Sequence, residues 1–395
     1  MAGFAVTHPG LEPVLASELI RLGLAPGEPV AGGCPFNASF EQIVLANLCL
    51  RTATRVLVRV ASFRARSFIE LERHAKRVDW PRFLRQGVAV HFRVTSKKSK
   101  LFHEKGIAER LVNAVLAMGG GVDIAASRAG ADLEERDVAI PTTIQRFVVR
   151  FHYDECTISA DTSGPLLHRR GYRHASAKAP LRETLAAGLA PLRETLAAQL
   201  VMLSRWDART EPLVDPMAGS ATIPIEAALI ARRLAPGLAR RFAFEQWPGV
   251  DPTLIAKIRS KVASVALAKS PVPLIGSDRD GGAVAASRAN ALAAGVGPDV
   301  EWRQGAVSTL SPPDPPGWIV INPPYGARVG DRTKLRDLYA QFGNVLRRVC
   351  PGWRVAMISA DRILEGHVGL RWRNIGTTDN GGIPVHFLAG EVPDK

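Results

Sequence analysis

The sequence predicts an α/β fold, with a doubly wound and largely parallel sheet in the C-terminal half and an α+β region before it. Three observations carry this. From Leu213 onward, short apolar strands alternate with helical segments, the pattern of parallel strands joined by crossover helices. One strand, Trp318-Ile319-Val320-Ile321-Asn322, is apolar almost throughout, as a strand covered on both faces must be. The first third instead mixes period-two strands with amphipathic helices.

Taken in order, Phe4-Ala5-Val6 reads as a short strand, and Val14 to Leu22 as a helix ended by Gly23. Val56 to Val60 and the alternating Val88 to Thr95 are strands, the latter followed by Ser96-Lys97-Lys98-Ser99-Lys100. Gly106 to Met118 places Ile107, Leu111, Val115 and Met118 on one helical face. Phe147–Phe151 and Cys156–Ala160 suit a hairpin about Tyr153-Asp154-Glu155. In the second half, strands end at Asp215 and Asp278, recur at Val300–Arg303, Trp318–Asn322 and Arg354–Ile358, and alternate with helices Ile223–Leu234 and Gly281–Ala294. Asp379-Asn380-Gly381-Gly382 signals a final hairpin. Between the halves, Ala179–Leu189 is repeated as Ala190–Leu200 with one change, Gly188 to Gln199. Pro191 cannot sit inside a regular helix, so two short consecutive helices are expected there.

The 395 residues, 46% hydrophobic and 22% charged, suit two or three globular domains. No stretch approaches the ~18–20 apolar residues of a membrane span, and the N-terminus reads as no secretory leader. Cys34, Cys49, Cys156 and Cys350 lie far apart, which points away from a zinc site or disulfide framework and toward reduced thiols in the cytoplasm. The net charge of +14 is spread evenly: residues 1–175 hold 24 Lys/Arg against 17 Asp/Glu, and residues 176–395 hold 27 against 20. Such charge suits a polyanionic partner, although an arginine-rich composition also produces it.

The chemistry concentrates at strand ends. Asn322-Pro323-Pro324-Tyr325-Gly326 follows the buried strand, where open α/β sheets place ligands. The Asn322 side-chain oxygen and a Pro323 carbonyl can accept both N–H bonds of an amine whose lone pair is otherwise delocalised. Two prolines hold those carbonyls rigid, and Tyr325 is expected to stack on an extruded base. Asp215-Pro216-Met217-Ala218-Gly219-Ser220-Ala221-Thr222 offers small residues and a helix N-terminus to a carboxylate-bearing ligand. Asp278, followed by Arg279, can accept bonds from ribose hydroxyls, and Asp280 suits a helix cap. Lys97, Lys98 and Lys100 suit either a solvated loop or phosphate contacts, and Arg169, Arg170 and Arg173, beside Tyr172, either RNA contacts or a hinge.

With these motifs in order, residues 213–326 resemble a Rossmann-like class I S-adenosylmethionine-dependent methyltransferase of the N-P-P-Y type. The whole chain resembles the bacterial guanine-N2 RNA methyltransferases that carry a THUMP domain, including the N-terminal half of the fused large-subunit ribosomal RNA enzymes. Thr7-His8-Pro9-Gly10-Leu11-Glu12, Leu167-His168-Arg169-Arg170-Gly171-Tyr172-Arg173, Ala-Pro-Leu-Arg-Glu and Asn380-Gly381-Gly382-Ile383 carry that wider likeness. The resemblance implies a ferredoxin-like segment over 1–55, a THUMP RNA-binding domain over 56–165, a linker over 166–200 and a methyltransferase domain over 201–395. It implies S-adenosylmethionine as cofactor, held by Asp215, Pro216, Ala218, Gly219, Ser220, Asp278, Arg279, Ala306 and Asn322, with Asn322 to Tyr325 catalytic. It further implies RNA contacts by the six basic residues above, ribosomal RNA as substrate with transfer RNA as the alternative, no metal, no membrane, and a monomer in the cytoplasm. The sequence departs from the family in Ala221, where the second glycine of G-S-G-T is usual, and in Ala306, where many relatives carry an acid.

The same N-P-P-Y serves DNA adenine-N6 and release-factor glutamine methyltransferases, which the basic N-terminal region disfavours. An RNA-binding assembly protein with a decayed methyltransferase site is a reading from another class, and cofactor titration separates it.

Overall fold

The computed structural model describes residues 1–85, 87–118, 144–173, 192–325 and 332–394. The first copy of the repeated segment, Pro191 and Gly326 lie outside the described residues. The chain divides into two compact units.

The first unit comprises Met1–Thr7, Leu19–Leu167 and Arg240–Lys261. Its strands are β1 (Ala2–Val6), β2 (Gly33–Asn37), β3 (Arg55–Arg64), β4 (Ala89–Lys97), β5 (Ile144–His152) and β6 (Glu155–Asp161). They form one sheet in the order β2-β1-β3-β6-β5-β4. β5 and β6 pair antiparallel about Tyr153 and Asp154, both with positive φ (51° and 66°). The expected hairpin therefore forms, extended at both ends. β2 and the helices Phe40–Cys49 and Phe68–Ala75 are additional to the elements expected from the sequence; Phe40–Cys49 has little helical periodicity, whereas Phe68–Ala75 is clearly amphipathic. Phe40–Cys49 is nevertheless well specified: Ser39 and Gln42 form a reciprocal capping box.

The segment Arg240–Lys261, expected to belong to the C-terminal domain, packs in this unit. Trp247 Nε1 donates to Gln145 Oε1 at 2.8 Å, and the rings of Phe244 and Phe40 meet edge to face at 5.7 Å. Burying Phe242, Phe244 and Trp247 outweighs their place in the chain.

The second unit comprises His8–Glu18, His168–Ala239 and Val262–Lys395. Its strands are β7 (Leu213–Asp215), β8 (Leu274–Asp278), β9 (Glu301–Gln304), β10 (Trp318–Ile321), β11 (Arg354–Ser359), β12 (Arg373–Asn380) and β13 (Ile383–Glu391). The sheet order is β12-β13-β11-β10-β7-β8-β9, parallel from β11 to β9, with β13 and β12 antiparallel. The order reverses at β7, the point at which doubly wound sheets bind ligands.

Successive strand residues enter opposite cores, which explains the near-continuous apolar runs. Leu213, Val320, Ala356 and Ile358 pack on one face with the helices Glu194–Leu203 and Thr222–Ala231. Val214, Ile319, Ile321, Val355 and Met357 pack on the other with Leu335, Tyr339, Phe342 and Leu346 of the helix Arg332–Val349.

That helix crosses the helix Arg362–Val368 closely at Gly343, where an added β-carbon would lie 1.9 Å from the Val368 carbonyl oxygen. Backbone cannot yield as a flexible side chain can. Gly343→Ala is expected to destabilise the protein by about 1–3 kcal/mol, read as a lower denaturant midpoint. An unchanged midpoint would show that the two helices separate at no cost.

Candidate active site

Parallel register brings three strand ends together. Asp215 pairs with Gly276, so Asp278 lies two residues, roughly 7 Å, further along its strand. β10 pairs with β7 at Trp318↔Leu213 and Ile319↔Val214, which carries Asn322 past the same edge.

Asp215 is 1% exposed, and its Oδ1 accepts the Met217 N–H at 3.1 Å. Burial pushes its carboxyl up to about 8, against the Met217 bond, with the nearby Asp278 charge adding to the rise. Pro216 and Ala218 are buried, and the Ala218 N–H donates to the Ser277 carbonyl at 2.9 Å. Gly219 has φ +55°, and a β-carbon there would meet nothing within 4 Å among the described residues. Asp278 grips this loop: its Oδ2 accepts the Gly219 N–H at 3.0 Å, while its Oδ1 accepts the Asp280 N–H at 3.0 Å. Ser287 Oγ donates to the Gly219 carbonyl at 2.9 Å and Asn290 Nδ2 to the Ser220 carbonyl at 3.2 Å. Ser287 and Asn290 were not expected from the sequence, although two polar residues on the buried face of the helix Gly281–Ala293 are a usable signal. Asp280 caps that helix as expected, accepting the Gly282 N–H. Arg279 and Ala306 are exposed.

Asn322 follows β10 with its Oδ1 buried and without a hydrogen-bond partner among the described residues. A buried acceptor left unpaired costs about 1–3 kcal/mol unless a ligand or water supplies a donor. The Tyr339 hydroxyl donates to the Pro324 carbonyl at 3.2 Å and fixes the turn; Pro323 is buried. Tyr325 differs from expectation. It is 3% exposed within the core, and its hydroxyl accepts from Asn380 Nδ2 at 3.1 Å. Core packing and the Asn380 bond hold the ring inward, so it does not offer the exposed face that stacking on a base needs.

The connecting arginines are corrected likewise. Arg170 lies 3.4 Å from Glu226, with both side chains almost fully buried, and Tyr172 donates to the same carboxylate at 3.1 Å. Arg173 donates to Thr222 Oγ1 and the Leu192 carbonyl. Neither is placed to meet a phosphate, because each compensates buried charge or carbonyl within its own unit. Arg169 is half-buried. Lys97, Lys98 and Lys100, by contrast, are exposed in the first unit. Among the described residues no cluster of His, Cys, Asp and Glu could hold a metal, and no helix is long and apolar enough to cross a membrane.

A reversed doubly wound sheet with an antiparallel final strand and an Asn-Pro-Pro-Tyr edge defines a class I methyltransferase. A family model described as "RMKL-like, methyltransferase domain" matches residues 188–385, and one for the "RlmL ferredoxin-like domain" matches residues 3–57. The chain is 32% identical to the Synechocystis protein named "Putative RNA methyltransferase slr0064", over 98% of this chain and 96% of that one. It is 33% identical to the ribosomal RNA large subunit methyltransferase K/L of Syntrophotalea carbinolica, over 99% of this chain but 54% of the relative, so it spans about half that protein's length. Among solved structures, "SMU.472, a putative methyltransferase complexed with SAH" matches with a TM-score of 0.82 and 28% identity, over 100% of this chain and 98% of that one. The chain belongs to the RMKL-like methyltransferase family, with an RlmL-type ferredoxin-like domain at its N-terminal end. S-adenosylmethionine is the cofactor of this class of methyltransferase and of this chain. The donor set fits it: a buried carboxyl with no ion pair among the described residues suits an ammonium, Asp278 has lone pairs left for hydroxyls, and Gly219 leaves room.

The Asp215 carboxyl has a measurable consequence. Folded, it keeps its proton up to about pH 8, whereas an unperturbed carboxyl loses it at 3.8. The folded state therefore binds the extra proton between those values. The associated stability is complete below the lower value and is lost as pH rises to the higher one. Asp215→Asn keeps the acceptor for Met217 but cannot ionise. Its Tm is expected to gain on the wild type steadily from pH 5 to 8 and then run parallel. A constant difference across that range would mean that Asp215 ionises freely in the fold.

Proposed function

We propose that this chain methylates an exocyclic base amine of RNA, guanine N2 of 23S ribosomal RNA, working in the cytoplasm. The observation that carries the chemistry is the buried Asn322 Oδ1 at the end of β10, which has no hydrogen-bond partner among the described residues. RNA is supported by the relatives' names, by the net charge of +14, and by an exposed basic and aromatic patch in the first unit. In that patch Lys98 donates to the Tyr153 hydroxyl at 3.0 Å, Lys97 ends β4, Lys100 follows, and Phe102 and Tyr153 are 77% and 57% exposed. Cations with unpacked rings suit phosphates and unpaired bases. Residues 56–165 are assigned as the THUMP module that reads the RNA, after a ferredoxin-like segment over 1–55, and residues 201–395 as the catalytic part.

Asp215, with Pro216, Ala218, Gly219 and Ser220, would hold the methionine end of the cofactor, and Asp278 its ribose. Arg279 and Ala306 would border the nucleoside. When bound, S-adenosylmethionine supplies an electrophilic methyl group. Asn322 Oδ1 accepts one N–H of the target amine and the Pro323 carbonyl the other, which turns the lone pair out of conjugation. Pro324, held by Tyr339, keeps those acceptors rigid, and Tyr325 closes the site against water. The contribution of Asn322 grows as positive charge develops on the amine, so it acts in the transition state.

Asn322→Ala is expected to lower single-turnover methylation about a hundredfold or more while cofactor affinity stays near normal; near-normal rates would refute the role. Asp278→Ala should weaken cofactor binding roughly tenfold, and calorimetry showing equal affinity would sink that assignment. Replacing Lys97, Lys98 and Lys100 by Ala should flatten the salt dependence of RNA binding, by about 0.9 in logarithmic slope for each duplex phosphate that is no longer neutralised, or 0.7 for single strands. Parallel lines with equal intercepts would reduce the patch to a solvated face. Mass spectrometry of RNA from a deletion strain tests the substrate. Loss of N2-methylguanosine from large-subunit RNA supports the reading, loss from transfer RNA moves it to the alternative, and no loss overturns it.

A further inference from the structure

The loop after β7 turns on a residue that does not favour its own backbone. Ala221 is fully buried with φ +71°, a left-handed conformation that a β-carbon opposes. Its surroundings must therefore hold it. On one side Asp278, Ser287 and Asn290 tie down Gly219 and Ser220. The next residue, Thr222, is held from another direction. One Arg173 amino group donates to Thr222 Oγ1 at 2.6 Å and to the Leu192 carbonyl at 2.7 Å, and Arg173 Nε lies 3.4 Å from Glu194 Oε1. One helical turn on, Glu226 meets Arg170 and Tyr172. Arg170, Tyr172 and Arg173 thus grip the start of the helix Thr222–Ala231 through buried or part-buried contacts to charged groups, which are the strong ones.

We propose that Arg173 is a positioning residue: by clamping Thr222 to Leu192 and Glu194 it maintains the left-handed turn at Ala221, and so keeps residues 215–220 arranged for their ligand. This rests on the reading that the loop holds the cofactor. A glycine at 221 adopts the same turn unaided, so the need for Arg173 and the β-carbon of Ala221 must be coupled.

The test is a double-mutant cycle read by calorimetric binding of S-adenosylhomocysteine to the full chain. Arg173→Ala is expected to weaken binding roughly tenfold, as for the removal of one charge-assisted hydrogen bond. Thr222→Val, which nearly keeps the volume and replaces the hydroxyl that accepts from Arg173 by a methyl group, should do the same and serves if Arg173→Ala does not fold. Ala221→Gly should then recover affinity in either background by a larger factor than it changes the wild type. A merely structural Arg173 would lower Tm without that coupling, and equal effects of Ala221→Gly in all backgrounds overturn the proposal. Wild type that binds no S-adenosylhomocysteine overturns the cofactor reading and this proposal together. Binding weakened by Asp278→Ala but untouched by Arg173→Ala and Thr222→Val overturns this proposal alone.

Discussion

The parallel pairing of β7 between β8 and β10 is the constraint from which the rest of the second unit follows. Side chains alternate between two cores, so a slip of one residue would turn Leu213 and Val320 toward the face that Val214 and Ile319 occupy. Both faces are apolar, and what resists such a slip is the difference in shape between small and large residues on the two sides. Because the paired strands run the same way, every strand end that carries chemistry emerges at one edge. Asp215, Asp278 and Asn322 are neighbours for that reason, although more than a hundred residues separate the first from the last.

Around that edge the protein manages buried charge in two ways. Asp215, with a backbone N–H as its donor and no ion pair among the described residues, is kept protonated by burial near neutral pH. Glu226 is equally buried but is met by Arg170 and Tyr172, so its charge is matched within the fold. The difference separates tasks: a matched carboxylate holds structure, and a suppressed one is available to a cationic ligand. Asp278 anchors the Gly219 loop while remaining partly exposed.

The first unit holds aromatic side chains both in its core and on its surface. Trp80, Phe92 and Phe147 meet edge to face or stacked inside the sheet's core. Phe102 and Tyr153 stay exposed, with Lys98 over the Tyr153 ring. In the second unit Tyr325 belongs with the former kind: Asn380 satisfies its hydroxyl, and the ring packs in the core.

Much of the fold was legible in the sequence because its signals are local. Period-two runs, a continuous apolar strand, Asp280 as a cap and the Asn380-Gly381-Gly382 turn each depend on residues within one or two turns of one another, and the strands at 274–278 and 318–321 form where those signals place them. The candidate site was legible for a related reason, since residues that end buried parallel strands have only one edge to go to. What the tertiary structure alone decided were pairings between distant residues. Arg240–Lys261 joins the first unit because Trp247 finds Gln145, and Tyr325 turns inward because Asn380 waits 55 residues on. Arg170 and Arg173 face the interior because Glu226 and Thr222 lie within reach. No local pattern encodes such partners: a side chain's burial is set by what the rest of the chain brings to it, and free energy is gained only when both members arrive.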